Sequence, residues 1–164
     1  MKHVVLILSL LLGISSLSGR NTPEIDYVRG RFVEKEVFQR VSEYFDETEN
    51  QGDKIVLRTD PESREGFYLI ISLDDEASRF PAGTRIGLKY IHPDQTGETV
   101  KATALPTPIP DASEIWLGLT GDDMPKDGKP LVAYLVVFYS PQGKVFAHYK
   151  SFLWEKPEGD DEAS

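Results

Sequence analysis

An all-β fold, a two-layer antiparallel β-sandwich of about seven strands, is predicted by three observations on the chain from Lys54 onward. Apolar residues fall in short runs rich in Val, Ile, Tyr, Phe and Trp, and Gly, Pro and Asp punctuate those runs. Within several runs apolar and polar side chains alternate, the period of a half-buried strand.

Residues 1–19 come before the fold and read as an address. Lys2 and His3 precede the apolar stretch Val4 to Leu12, and the small-residue segment Gly13 to Gly19 follows. This is the order of a secretory signal peptide, with Ser16 and Ser18 supplying the small side chains for cleavage before Gly19. The apolar stretch falls well short of the roughly 20 residues that cross a bilayer as a helix, and no later segment is longer. Arg20 stands where a lipidation cysteine would have to be. An exported protein of bacterial type follows, periplasmic or secreted, with neither membrane span nor lipid anchor.

An N-terminal extension, 20–53, leads to the sandwich. Val37, Phe38, Val41, Tyr44 and Phe45 carry the spacing of a short amphipathic helix. A strand over Tyr27 to Val33 competes with that reading, and Asp46 to Asp53 is polar and turn-rich.

The sandwich domain spans 54–155. Its expected strands are Lys54 to Thr59, Gly66 to Leu73, Thr84 to Ile91, Thr99 to Leu105, Glu114 to Leu119, Leu131 to Tyr139 and Lys144 to Trp154. Ile55 and Leu57 oppose Lys54, Val56 and Arg58, while Ile115, Leu117 and Leu119 oppose Glu114, Trp116 and Gly118. Leu131 to Tyr139 is apolar on both faces, so it is placed centrally with its outer side covered as well. Ser140-Pro141-Gln142-Gly143 supplies turn chemistry for a hairpin between the last two strands, because Pro sets φ and Gly accepts the left-handed conformation. Leu105-Pro106-Thr107-Pro108-Ile109-Pro110 cannot donate a full ladder of hydrogen bonds and is expected to carry the chain between sheets.

Strand count and hairpin chemistry over Lys54 to Trp154 resemble immunoglobulin-like and fibronectin-type III sandwiches, without the Cys and Trp spacing of antibody domains. The tail 156–164 carries Glu158, Asp160, Asp161 and Glu162, has no apolar anchor, and is expected to be disordered.

Composition narrows the chemistry. With 18 basic against 27 acidic residues and a net charge of −9, nucleic acid is not an expected partner. The chain has no cysteine, which excludes thiol nucleophiles, Cys-ligated zinc and disulfides. No GxSxG, P-loop, GxGxxG or HExxH pattern occurs, and past the signal segment only His92 and His148 remain. No cofactor is expected.

Two constellations remain as candidate sites. Asp122, Asp123 and Asp127 lie between Gly121 and Gly128, a loop with hard oxygens for calcium, although solvated turn acids explain the same residues. Phe146, His148, Lys150, Phe152 and Trp154 share one face of the last strand, with Trp116 as a further aromatic. That face is either core or an exposed surface that stacks on sugars or anchors a protein. The expected function is a non-enzymatic exported module binding a protein of the cell envelope. A carbohydrate-binding module is the alternative, and a hydrolase using Asp or Glu with His148 ranks third.

Overall fold

Two facing four-stranded sheets form the computed structural model, which describes residues 22–38 and 53–155. The first sheet has the order β1 (Ile25–Val33), β3 (Gly66–Leu73), β6 (Glu114–Thr120), β2 (Lys54–Arg58). The second has the order β5 (Glu98–Ala104), β4 (Arg85–Ile91), β7 (Ala133–Tyr139), β8 (Val145–Lys150). An all-β sandwich is the observed fold. One pairing departs from the antiparallel expectation: β2 runs parallel to β6, with Val56 opposite Trp116.

Alternation sorts the side chains between layers. Ile55, Leu69, Ile71, Leu88, Ile115 and Phe138 are among those that point inward and form the main core. Full burial of each such side chain contributes roughly 1.5–3 kcal/mol, so the layers hold together without a cross-link. Val33, Phe38, Val56, Tyr68, Ile70 and Trp116 form a second, smaller core on the outer side of the first sheet. That explains why β3 reads as a continuous apolar run: both of its faces are covered.

The segment before Lys54 is more than an extension. β1 pairs with β3 from Ile25 to Val33 and is an integral edge strand, which brings the described strands to eight. Its alternation is diluted by Gly30, and the reason is local. A Cβ at position 30 would stand 2.5 Å from Cζ of Phe67, so the ring of the neighbouring strand occupies the side-chain space. Of the helix expected over Val37 to Phe45 only Val37 and Phe38 are described, at the end of the 3-10 turn Lys35–Phe38 that buries Phe38, and 39–52 lies outside the described residues. The signal segment and the tail 156–164 also lie outside them.

The last strand is shorter than expected. β8 ends at Lys150, and Phe152–Glu155 turns into the short helix α1. The hairpin before it forms as its turn residues require: the Gly143 amide donates to the Ser140 carbonyl at 2.9 Å, and Gly143 has φ 84°. Ser140 Oγ accepts the amides of Gln142 and Lys144. The Pro-rich stretch 105–110 leads from β5 in the second sheet to β6 in the first.

On one side the sandwich is closed by contact between β1 and β8 and by the Tyr134 hydroxyl, which donates to the Val28 carbonyl at 3.3 Å. On the opposite side edge strands β2 and β5 leave a cleft of about 170 Å³ lined by Arg58, Leu117, Leu88 and Lys101. Among the described residues the outer face of the second sheet carries no second core, so β7 is central as expected but Leu135, Val137 and Tyr139 on its outer side are only partly covered.

Candidate functional site

Strand register builds a surface on that outer face. Val100, Lys89, Leu135 and Lys150 lie in one cross-strand row; Ala102, Gly87, Val137 and His148 form the next; Ala104, Arg85, Tyr139 and Val145 form the third. Directly opposed side chains on one face lie about 4.5–5.5 Å apart at Cβ, so each row is a contiguous strip. Val100 is 66% exposed, and with Ala102, Leu135, Val137 and Tyr139 it lines a shallow apolar depression of about 230 Å³. The depression exists because position 87 has no side chain and Tyr139 lies across it.

Charge on this face opposes that of the chain. Among the described strand residues Arg85, Lys89 and Lys150 are its cations, and Glu98, opposite Ile91 in the register, is the one carboxylate. Lys89 pairs with Glu98 and also stands 5.4 Å from the centroid of the Trp154 ring. Arg85 and Lys150 have no ion-pair partner among the described residues, so an acidic protein presents a locally basic, apolar strip here. β5 is also the free edge of the sheet, with backbone donors and acceptors open to a further strand.

The aromatic row expected on the last strand is divided by the fold. Ala147 and Tyr149 face inward, while His148 and Lys150 face outward. A register shift sets Ala147 opposite Phe138 but Val145 opposite Tyr139. The extra residue, Phe146, packs against the main core, and Lys144 covers its ring at 5.8 Å. Phe152 and Trp154 belong to α1, where Phe152 is 84% exposed and Trp154 is half-buried beside Lys89. Trp116 sits apart from all of them, 6% exposed in the outer core of the first sheet. Its indole N–H donates to Glu114 at 3.0 Å, and Lys54 caps the ring at 4.3 Å.

The acidic loop does not gather into a cage. Asp123 pairs with Lys101 at 2.8 Å, Asp127 is turned outward at φ 56° near Lys129, and Asp122 joins neither. Among the described residues no three His, Cys, Asp or Glu side chains are placed to share a metal. The loop is held instead by Asp94, which accepts the Lys126 amide and the Lys129 ammonium, both at 3.0 Å. The Lys126 amide and the Lys129 side chain hold the Asp94 carboxyl below the usual carboxylate range.

Two further polar groups lie inside the same end of the sandwich. Burial, reinforced by Asp123, pushes the Tyr90 hydroxyl up to about 12. His92 is buried, its Nδ1 accepts the Asp94 amide at 3.1 Å, and its Nε2 has no partner among the described residues. The two histidines are far from equivalent: His92 is enclosed, while His148 lies on the open outer face.

No family model matches the chain, and no curated protein or solved structure does either.

Val100, Ala102, Arg85, Lys89, Val137 and Tyr139, which with His148 and Lys150 make the outer strip, were not among the sequence candidates. Each is an ordinary strand residue in its own run. Only the register, which aligns four strands distant in sequence, makes them one surface.

Proposed function

We propose that the protein is an exported, non-enzymatic interaction module that binds a protein partner of the cell envelope or extracellular space through the outer face of its second sheet. The observation that carries the reading is the contiguous apolar strip at Val100, Ala102 and Val137, flanked by Arg85 and Lys150, on an otherwise acidic molecule. Apolar area drives association, and the cations Arg85 and Lys150 select the sign of the partner. The open edge of β5 adds main-chain hydrogen bonding to an extended segment. The leader-like order of Lys2, His3 and Val4 to Leu12 supports export.

Strand order supports an immunoglobulin or fibronectin type III kinship of fold. With β2 set aside, β1-β3-β6 facing β5-β4-β7-β8 corresponds to strands A-B-E facing C′-C-F-G. β2 is then an insertion between A and B that occupies the far edge of the first sheet.

The test is retention of envelope proteins by the immobilised chain compared with a Val100→Glu, Arg85→Glu variant. Both positions are exposed, so the variant keeps the fold and differs only at the surface. A protein retained saturably by the natural chain and lost by the variant is expected. Equal retention by both sinks the reading. Retention of polysaccharide together with quenching of Trp154 moves the assignment to a carbohydrate-binding module, for which burial of Trp116 leaves one fewer platform.

A further inference from the structure

Taking the outer face as the binding surface, we infer that its resident ligand is the chain's own acidic segment 156–164, bound in cis across the cationic strip, and that a partner must displace it. α1 brings the chain to this place: Trp154 stands against Lys89, a residue of both the first cross-strand row and the depression wall. The described chain therefore ends, at Glu155, beside the margin of the strip. Nine residues extend to at most about 30 Å, whereas a four-stranded sheet is only about 15 Å across its strands, so the segment reaches every row.

Charge selects the same occupant. Glu158, Asp160, Asp161 and Glu162 bring negative charge with only Lys156 against it, and the face offers Arg85 and Lys150 without other ion-pair partners among the described residues. Gly159 lets the acidic run bend over the sheet, and the apolar side chains of the segment, Pro157 and Ala163, are small enough for the depression. Such contacts are weak when bimolecular. Tethering supplies an effective concentration on the order of 1 mM, so a free-peptide dissociation constant of about 1 mM leaves roughly half of the molecules closed. A partner then binds about twofold more tightly once the segment is removed or neutralised.

The experiment compares backbone amide resonances of the full chain with those of a Glu158→Gln, Asp160→Asn, Asp161→Asn, Glu162→Gln variant, which keeps every described residue. Expected are shifts at Val100, Ala102, Leu135, Val137 and His148 between the two proteins at low salt. Those differences should collapse at high salt, where exposed charges are screened. Adding a peptide of sequence 156–164 to the variant should move the same resonances back. Superimposable spectra overturn the inference, as does a difference that grows with protein concentration, which assigns the segment to a second copy. Retention of an envelope partner, lost on substitution at Val100 and Arg85, is read independently. It tells failure of the cis contact from failure of the surface itself.

Discussion

The ring of Tyr139 lies across Gly87, and a Cβ built at position 87 would stand 3.2 Å from its Cε1. The same arrangement recurs in the first sheet, where a Cβ at Gly118 would meet Cε1 of Tyr68 at 2.5 Å. The two glycines differ in what surrounds the ring. Tyr139 is half-exposed and can tilt away, but Tyr68 is wholly buried, with its hydroxyl accepting Arg58 Nε and donating to the Arg64 carbonyl, both at 2.7 Å. Gly87→Ala is therefore expected to change stability by less than about 1 kcal/mol, since lost chain entropy in the unfolded state offsets a small displacement. Gly118→Ala is expected to destabilise by roughly 1–3 kcal/mol through overpacking. Urea denaturation midpoints of the two variants check the contrast.

Tyr90 predicts a loss of stability in strong alkali. Its folded value of about 12 lies above the ordinary 10.0, so the native state keeps the phenolic proton after the unfolded chain has released it. Between those values the native state binds more protons, and stability falls as pH rises. Tyr134 is shifted in the same direction by burial. Thermal melting across this range should decline less steeply in Tyr90→Phe, and the late-ionising part of the tyrosinate absorbance should shrink in that variant.

Asp94 predicts an effect at the opposite end of the pH scale. Its folded carboxyl is held low, so its contribution is present above the ordinary carboxylate range and is lost as pH falls through the folded value. Asp94→Ala should free the 121–132 connection without disturbing the strands. Faster amide hydrogen exchange at Lys126, with unchanged exchange in β6, is the expected result.

Tryptophan emission should divide into two populations. Trp116 is enclosed by Phe38 at 5.8 Å and Tyr68 at 6.1 Å, while Trp154 lies on the surface beside a lysine. Iodide quenching should survive in Trp116→Phe and disappear in Trp154→Phe. Equal quenching in both variants would contradict the placement of Trp116 inside the outer core.

Much of the architecture was legible residue by residue. The opposed faces of Ile55 and Leu57 against Val56, and of Ile115 and Leu117 against Trp116, are as the alternation predicts, because each depends only on the pleat of its own strand. The Ser140 to Gly143 hairpin was equally readable, its signal being confined to four positions. What escaped was non-local. The parallel seating of β2 on β6 leaves no local trace, and although a strand over Tyr27 to Val33 is one of the two readings of its segment, the pairing of β1 with β3 is not visible in it. Phe146 was misphased by a single extra residue, which a one-strand reading cannot anticipate. The candidate surface escaped for the same reason, since Ala102, Gly87, Val137 and His148 become neighbours through pairing alone.

The seating of β2 also bears on the order in which the molecule assembles. In the second sheet β4 with β5, and β7 with β8, are sequential hairpins that need only short loops to close. In the first sheet every pairing skips at least one intervening strand: β1 reaches past β2 to β3, β3 past two strands to β6, and β2 past three to the same β6. Closing long loops before any contact is formed slows folding, so the two hairpins of the second sheet are expected to form before the non-local pairings, β4 with β7 included. The proposed binding surface would then belong to the early-forming half, and β2, waiting for β6 to be synthesised and placed, would be the last strand to lock.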